Sequence, residues 1–374
     1  MAAIEPVVLQ EGPLAQRGQP AHPDTTPPTV GPPEESDMEL GTSYLGLALR
    51  NPIIASASPL TGDVGTIRQL EDSGAGAVVL PSLFEEQIRQ EEQLADMLTS
   101  VGADSSPEAS SYFPASVKYN AGPHGYLDLV SRARAAVDIP VIASLNGTTE
   151  AGWVDYARLM EQAGASAIEL NIYRIEARPS VTGADLDADS VGLFKAVRSQ
   201  VAIPVAVKLQ PYYSAFGALA RQLDDAGAEG LVLFNRLYQP DIDLARLHWS
   251  NDIALSSAGE IRLGLLWLSL LAGRLRRASL AASTGVETAD EVIKYLLAGA
   301  DAVMTTSALL RHGPRHLRTL VASLEAWLSA RGYASVTAIK GLMRQSHPDG
   351  QADVHGRSDY IQSLLGYRGP YAHR

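Results

Sequence analysis

Residues 203–209 read Ile-Pro-Val-Ala-Val-Lys-Leu, and the one ionisable group in this apolar run is Lys208. An ammonium at the end of a buried strand needs a partner that is anionic or becomes so. A flavin ring reduced to its anion is one such partner, and a carbonyl substrate that forms a Schiff base is another. The chemically inert alternative is an ion pair with Glu169 on a neighbouring run. Asn171 and Asn235 close two further apolar runs. Each offers a donor and an acceptor, as reading a planar ring with mixed edges requires; a turn asparagine is the plain alternative. Thr284 with Gly285, and Thr306 with Ser307, close two more runs and lead into helix-period segments. Backbone N–H groups at such turns hold phosphate, and ordinary helix capping by Thr and Ser competes with that reading. Ser56, Ser82 and Ser144 end the remaining runs. No His, Asp or Glu cluster with metal-ligand spacing accompanies them, which disfavours a metal site.

These ends must be brought together by the elements between them. The phrase Gly-Ala recurs at residues 74, 164, 227 and 299, each time after a helix-period segment and before a short apolar run. The glycine suits a left-handed helix C-cap and the run suits a strand buried on both faces. Eight strands follow from this pattern, at 53–57, 77–80, 141–145, 167–171, 205–209, 230–234, 280–283 and 302–305. Helices lie between them, and eight β/α alternations predict a (β/α)8 TIM barrel whose chemistry sits at the strands' C-terminal ends. An open doubly wound sheet is the competing fold, but no G-x-G-x-x-G follows the first strand. Long loops are expected after strands two and six. The second spans residues 238–258, holds His248 and Trp249, and is expected to cover the site. His124, in the first, reads as a solvent-facing loop histidine, and the acidic segment 83–92 as a solvated helix.

Residues 1–36 hold 8 of the 22 prolines, so they read as a tail unable to bury a core. The barrel is assigned to residues 37–344 and a polar C-terminal tail to 345–374, with a short helix allowed at 360–367. Lys plus Arg is 30 against 42 Asp plus Glu, a net charge of -12 that opposes nucleic-acid binding. The absence of cysteine removes disulfides, a Cys base and a self-ligated iron–sulfur cluster. No apolar run spans a membrane and no secretory signal opens the chain, so a soluble cytoplasmic protein with a small-molecule substrate is expected.

In order and spacing, residues 38–341 resemble the class 1 dihydroorotate dehydrogenase family. Residues 38–54 are similar to its opening β-hairpin and first strand, Glu169-Leu170-Asn171 to its E-L-N, and residues 207–212 to its V-K-L-x-P-Y. Residues 283–288 and the sequence Ser307-Ala308-Leu309 resemble its phosphate loops. The resemblance implies a homodimeric, FMN-dependent barrel of pyrimidine biosynthesis. It implies that Ala55, Ser56 and Ala57 lie beside the flavin, that Asn171 and Lys208 contact its ring, and that Thr284, Gly285, Thr306 and Ser307 hold its phosphate, with Ser82 and Ser144 among the strand-end groups of the cofactor site. Asn120 and Asn235 match substrate-binding asparagines.

The departures fall on the proton-transfer and substrate-reading parts. After E-L-N the family continues S-C-P-N, with the cysteine as general base, whereas here the run is Ile172-Tyr173-Arg174-Ile175-Glu176. Arg174 takes the base position, and a guanidinium cannot accept a proton. Glu176 replaces an orotate-binding asparagine, Arg236 a serine, Pro81 a lysine and Val286 the second glycine of the phosphate loop. Three readings are open. The first is an FMN oxidoreductase whose Arg174 and Arg236 grip an anionic substrate, with Tyr173 supplying a proton. The second is a flavin-binding barrel without turnover, and the third a flavin-free Schiff-base lyase using Lys208.

Overall fold

The computed structural model describes residues 38–86, 122–147, 149–250, 252–345 and 352–366. The expected tail at 1–36, Asn120 and residues 87–92 of the acidic segment lie outside the described residues.

The chain opens with an antiparallel hairpin, β1 (Thr42–Tyr44) and β2 (Leu47–Leu49). Eight parallel strands then close into a barrel: β3 (Ile53–Ala55), β4 (Ala77–Phe84), β5 (Val141–Asn146), β6 (Ala167–Asn171), β7 (Val205–Leu209), β8 (Gly230–Leu233), β11 (Ser279–Ala282) and β12 (Ala302–Thr305). Two short strands, β9 (Asp241–Asp243) and β10 (His248–Ser250), form a hairpin in the excursion after β8. Helices α1 (Val64–Asp72), α2 (Gly122–Ala136), α3 (Glu150–Gln162), α4 (Gly183–Arg198), α5 (Phe216–Asp225), α6 (Ile261–Leu271) and α7 (Ala289–Ala298) follow the barrel strands in turn. The short α8 (Ser307–His312) and then α9 (His316–Ala330) close the series. The fold is the (β/α)8 barrel that the alternation predicts.

The four repeated glycines all take positive φ, between 93° and 116°, as left-handed helix ends require. Pro140 and Pro204 sit just before β5 and β7, where a missing N–H costs nothing. Their carbonyls still accept from Val78 and Ile168 of the neighbouring strands, at 3.0 Å each. The strand residues divide by parity. Ile168, Leu170, Val205 and Val207 face the helix layer, while Ala167, Ala206, Ile142 and Met304 fill the barrel interior. Tyr44, Leu45 and Leu49 of the hairpin belong to that interior cluster.

Two strand ends differ from the expectation. The first strand ends at Ala55, so Ser56 and Ala57 follow it. The second runs on to Phe84, with a register shift between Val79 and Ser82. Leu83 and Phe84 of the acidic segment are therefore strand, whereas Glu85 and Glu86 are helical as expected, with Glu85 buried rather than solvated. Glu85 is only 3% exposed, because its carboxylate accepts from the backbone N–H and hydroxyl of Thr149 at 2.8 and 2.6 Å. Near the C-terminus α10 (Val336–Ile339) is followed by α11 (Ala352–Leu365), longer than the short helix expected there.

Candidate functional site

Parity carries the site. On β6, Glu169 and Asn171 share the inward face with Ala167, and on β7 Lys208 shares it with Ala206. Strand pairing sets Asn171 directly beside Lys208. Lys208 is 7% exposed, and its Nζ lies 3.3 Å from Glu169 Oε1. The inert alternative raised by the sequence, this ion pair, is therefore present. It does not withdraw the lysine from the site, because Lys208 also lines an open cleft at the strands' C-terminal ends.

Lys208, Asn235, Thr284, Gly285, Thr306 and Ser307 all line that cleft. Ser56 and Ala57 line it as well, whereas Ala55 is a fully buried strand residue outside the lining. Behind Asn235 runs a chain of polar side chains from four strand ends. Asn235 Nδ2 donates to Asn171 Oδ1 at 2.7 Å, Asn171 Nδ2 donates to Ser82 Oγ at 3.4 Å, and the Ser82 and Ser144 hydroxyls lie 2.8 Å apart. Asn171, Ser82 and Ser144 are thus a layer behind the cleft. The chain is anchored by Tyr126, whose hydroxyl donates to the Ser144 carbonyl and accepts from the Ser144 N–H. Burial pushes the ionisation of that hydroxyl well up.

Another part of the cleft is built on the turn after β11. Thr284 and Gly285 have φ of 79° and 77°, and Val286 is packed in the core at 3% exposure. Within this turn Thr284 is the non-glycine residue in the left-handed region, whereas Val286, which stands at the second glycine of the motif, does not take a positive φ. Thr284 is held there by donating its hydroxyl to the Phe234 carbonyl at 3.0 Å. A Cβ at Gly285 would stand 2.8 Å from both Ser257 O and Ile261 Cγ2. One site residue has no flag in the sequence. Ser256, 7% exposed, sets its hydroxyl 2.8 Å from that of Ser307 and accepts from the Gly285 N–H at 3.3 Å. Residues 253–256 line the cleft, so part of the excursion after β8 does border the site. Its hairpin exposes His248 and Trp249, and His124 on α2 is exposed too.

The residues at the departures are engaged elsewhere. Arg174 Nη1 binds Asp189 Oδ2 at 3.0 Å and borders a separate cavity beside α4. Tyr173 accepts from the Tyr238 N–H at 2.7 Å. Glu176 pairs with Arg178 at 2.6 Å, and the Arg178 hydrogen bond lowers its carboxyl to about 2. Arg236 lines the main cleft but donates to Glu260 at 2.8 Å and to the Ala254 carbonyl. Among the described residues no group of three His, Cys, Asp or Glu could hold a metal ion, and no helix is long and apolar enough to cross a membrane.

This chain is similar to known proteins over most of its length. The family model described as Dihydroorotate dehydrogenase matches residues 39–328. A dihydroorotate dehydrogenase B (NAD(+)) catalytic subunit of Methanothermobacter thermautotrophicus is 26% identical over 318 residues, covering 81% of this chain and 98% of the relative. That of Shouchella clausii is 27% identical over 317 residues, covering 81% and 97%. The NAD-dependent dihydropyrimidine dehydrogenase subunit PreA of Escherichia coli is 23% identical over 332 residues, covering 81% and 76%. The family match spans most of the chain and coincides with the barrel strands and the cleft they form, and this chain belongs to the dihydroorotate dehydrogenase family.

Proposed function

We propose that this chain is a flavoprotein of dihydroorotate dehydrogenase type that binds FMN in the cleft and does not oxidise dihydroorotate. The donor set supports the cofactor. Lys208 and Asn235 suit the edge of a planar ring, with Asn171 fixing the Asn235 amide. The Gly285 N–H with the Thr306, Ser307 and Ser256 hydroxyls suits a phosphate in the same cleft, which would take the place of the bonds that Gly285, Ser256 and Ser307 make to one another. When bound, FMN supplies a ring able to accept a hydride. The residues of this chain would hold that ring and place positive charge at its edge.

The observation that carries the second half is the pairing of Arg174 with Asp189, outside the cleft. Oxidation of a dihydropyrimidine needs a proton acceptor beside the hydride acceptor. A guanidinium accepts no proton, and Tyr173 holds a hydroxyl that accepts from the Tyr238 N–H. The substrate is then a small molecule other than dihydroorotate. An FMN-binding barrel without turnover is the second reading. It is favoured by the ion pair of Arg236 with Glu260, which engages the guanidinium that would grip an anionic substrate. A lyase using Lys208 is disfavoured, because the nucleophile of such a reaction is a free amine, whereas the Lys208 ammonium is paired with the buried Glu169 carboxylate at 3.3 Å.

Parallel titrations of the apo-protein with FMN and with riboflavin test the cofactor assignment. Two charge-assisted hydrogen bonds to the phosphate are worth about 3 kcal/mol or more, so FMN binds at least ~100-fold more tightly. Equal affinities, or no binding of either, would overturn the assignment. Light scattering of the purified chain tests the homodimer we propose with it.

A further inference from the structure

We propose that Glu169 is a positioning residue that fixes Lys208 from within the barrel and limits the positive charge Lys208 lends to bound FMN, an inference that rests on the flavin reading above. Glu169 sits inside the barrel at 1% exposure, one layer below Asn171. Strand pairing sets Lys208 opposite Asn171 and Ala206 opposite Glu169. The ammonium therefore reaches diagonally back, past its direct neighbour, to meet Glu169 Oε1 at 3.3 Å.

The carboxylate has no other described donor. Its Oε2 is buried without a hydrogen-bond partner among the described residues, and so is the hydroxyl of Tyr44 from the opening hairpin. Burial first, then the negative charges of Glu169 and Asp301, push the ionisation of Tyr44 far up, so it stays a neutral phenol. Lys208 is thus the cation that balances Glu169. Ala167, Ala206, Ile142 and Met304 make the rest of the barrel interior largely apolar. In a setting of low polarity the two charges largely cancel at the ring.

Hydride transfer brings a hydride, hence a negative charge, to the ring. Glu169→Gln keeps the side chain's shape and an acceptor for Lys208 but removes the opposing charge. Reduced FMN then gains affinity over oxidised FMN by about tenfold, which for two electrons raises the reduction potential by about 30 mV. The potential is read by equilibrating FMN-loaded protein with a reference dye. A purely structural role would weaken both redox states alike and leave the potential in place. Glu169→Asp withdraws the carboxylate by one methylene and raises the potential by less. This variant carries the test if Glu169→Gln does not fold. Wild-type protein that retains FMN, with variants whose potential is unchanged or lower, overturns the role of Glu169 alone. Wild-type protein that retains no FMN overturns the flavin reading and this inference together.

Discussion

Lys208→Met in the apo-protein separates a buried ion pair from a solvent-facing lysine. The ammonium and the Glu169 carboxylate are 3.3 Å apart, with side-chain exposures of 9% and 1%. Methionine fills most of the lysine's volume, so packing changes little, but the carboxylate loses its counter-ion. Removing one partner of a buried pair costs about 3–5 kcal/mol. With an unfolding entropy of about 0.6 kcal/mol/K for ~300 ordered residues, the thermal midpoint falls by about 5–8 °C. The double variant Lys208→Met/Glu169→Leu removes both charges and regains most of that loss, because an apolar pair of similar volume is near neutral. Thermal and urea unfolding of wild type, both single variants and the double variant complete the cycle. A loss under about 1 kcal/mol for Lys208→Met, or a double variant as unstable as the sum of the singles, would refute the reasoning that places both charges inside the barrel.

Three further outcomes follow from the same geometry. Gly285→Ala forces a Cβ to within 2.8 Å of Ser257 O at a φ of 77°; it costs about 1–3 kcal/mol of stability and abolishes FMN retention, measured by unfolding and absorbance. Arg174→Cys alone restores no dihydroorotate oxidation, since Glu176, Arg236 and their ion pairs remain; robust anaerobic turnover by this variant would show the rest of the pocket to be intact. The Glu176 carboxyl is lowered to about 2 by Arg178, so the stability it contributes is present above the unfolded carboxylate value of about 4.3 and is lost as the pH falls through the folded one. An NMR titration of its side chain should give a midpoint near 2, and Arg178→Ala should return it to the ordinary carboxylate range.

The barrel was legible because its signals are local. The glycine that ends a helix and the apolar run that follows lie within one phrase, and four repeats of that phrase fix the alternation. Lys208 was legible for the same reason, as one charge in an apolar run, with Glu169 on a neighbouring run as the inert alternative partner. What escaped the sequence depends on contacts between distant segments. Ser256 joins the turn at Gly285 only because the excursion after β8 returns to the barrel mouth. The extension of β4 past Val79 depends on pairing with β5. Glu85 looks like any surface glutamate until Thr149 is brought to it. The pairing of Arg174 with Asp189 joins a strand end to the following helix, across fifteen residues that carry no periodic signal.

The most direct test of the central claim is an anaerobic absorbance spectrum of the FMN-reconstituted protein before and after dihydroorotate. Flavin bands that persist after the addition are the expected result. Bands that bleach would contradict the loss of the proton acceptor, and a spectrum without flavin bands would contradict the cofactor assignment itself.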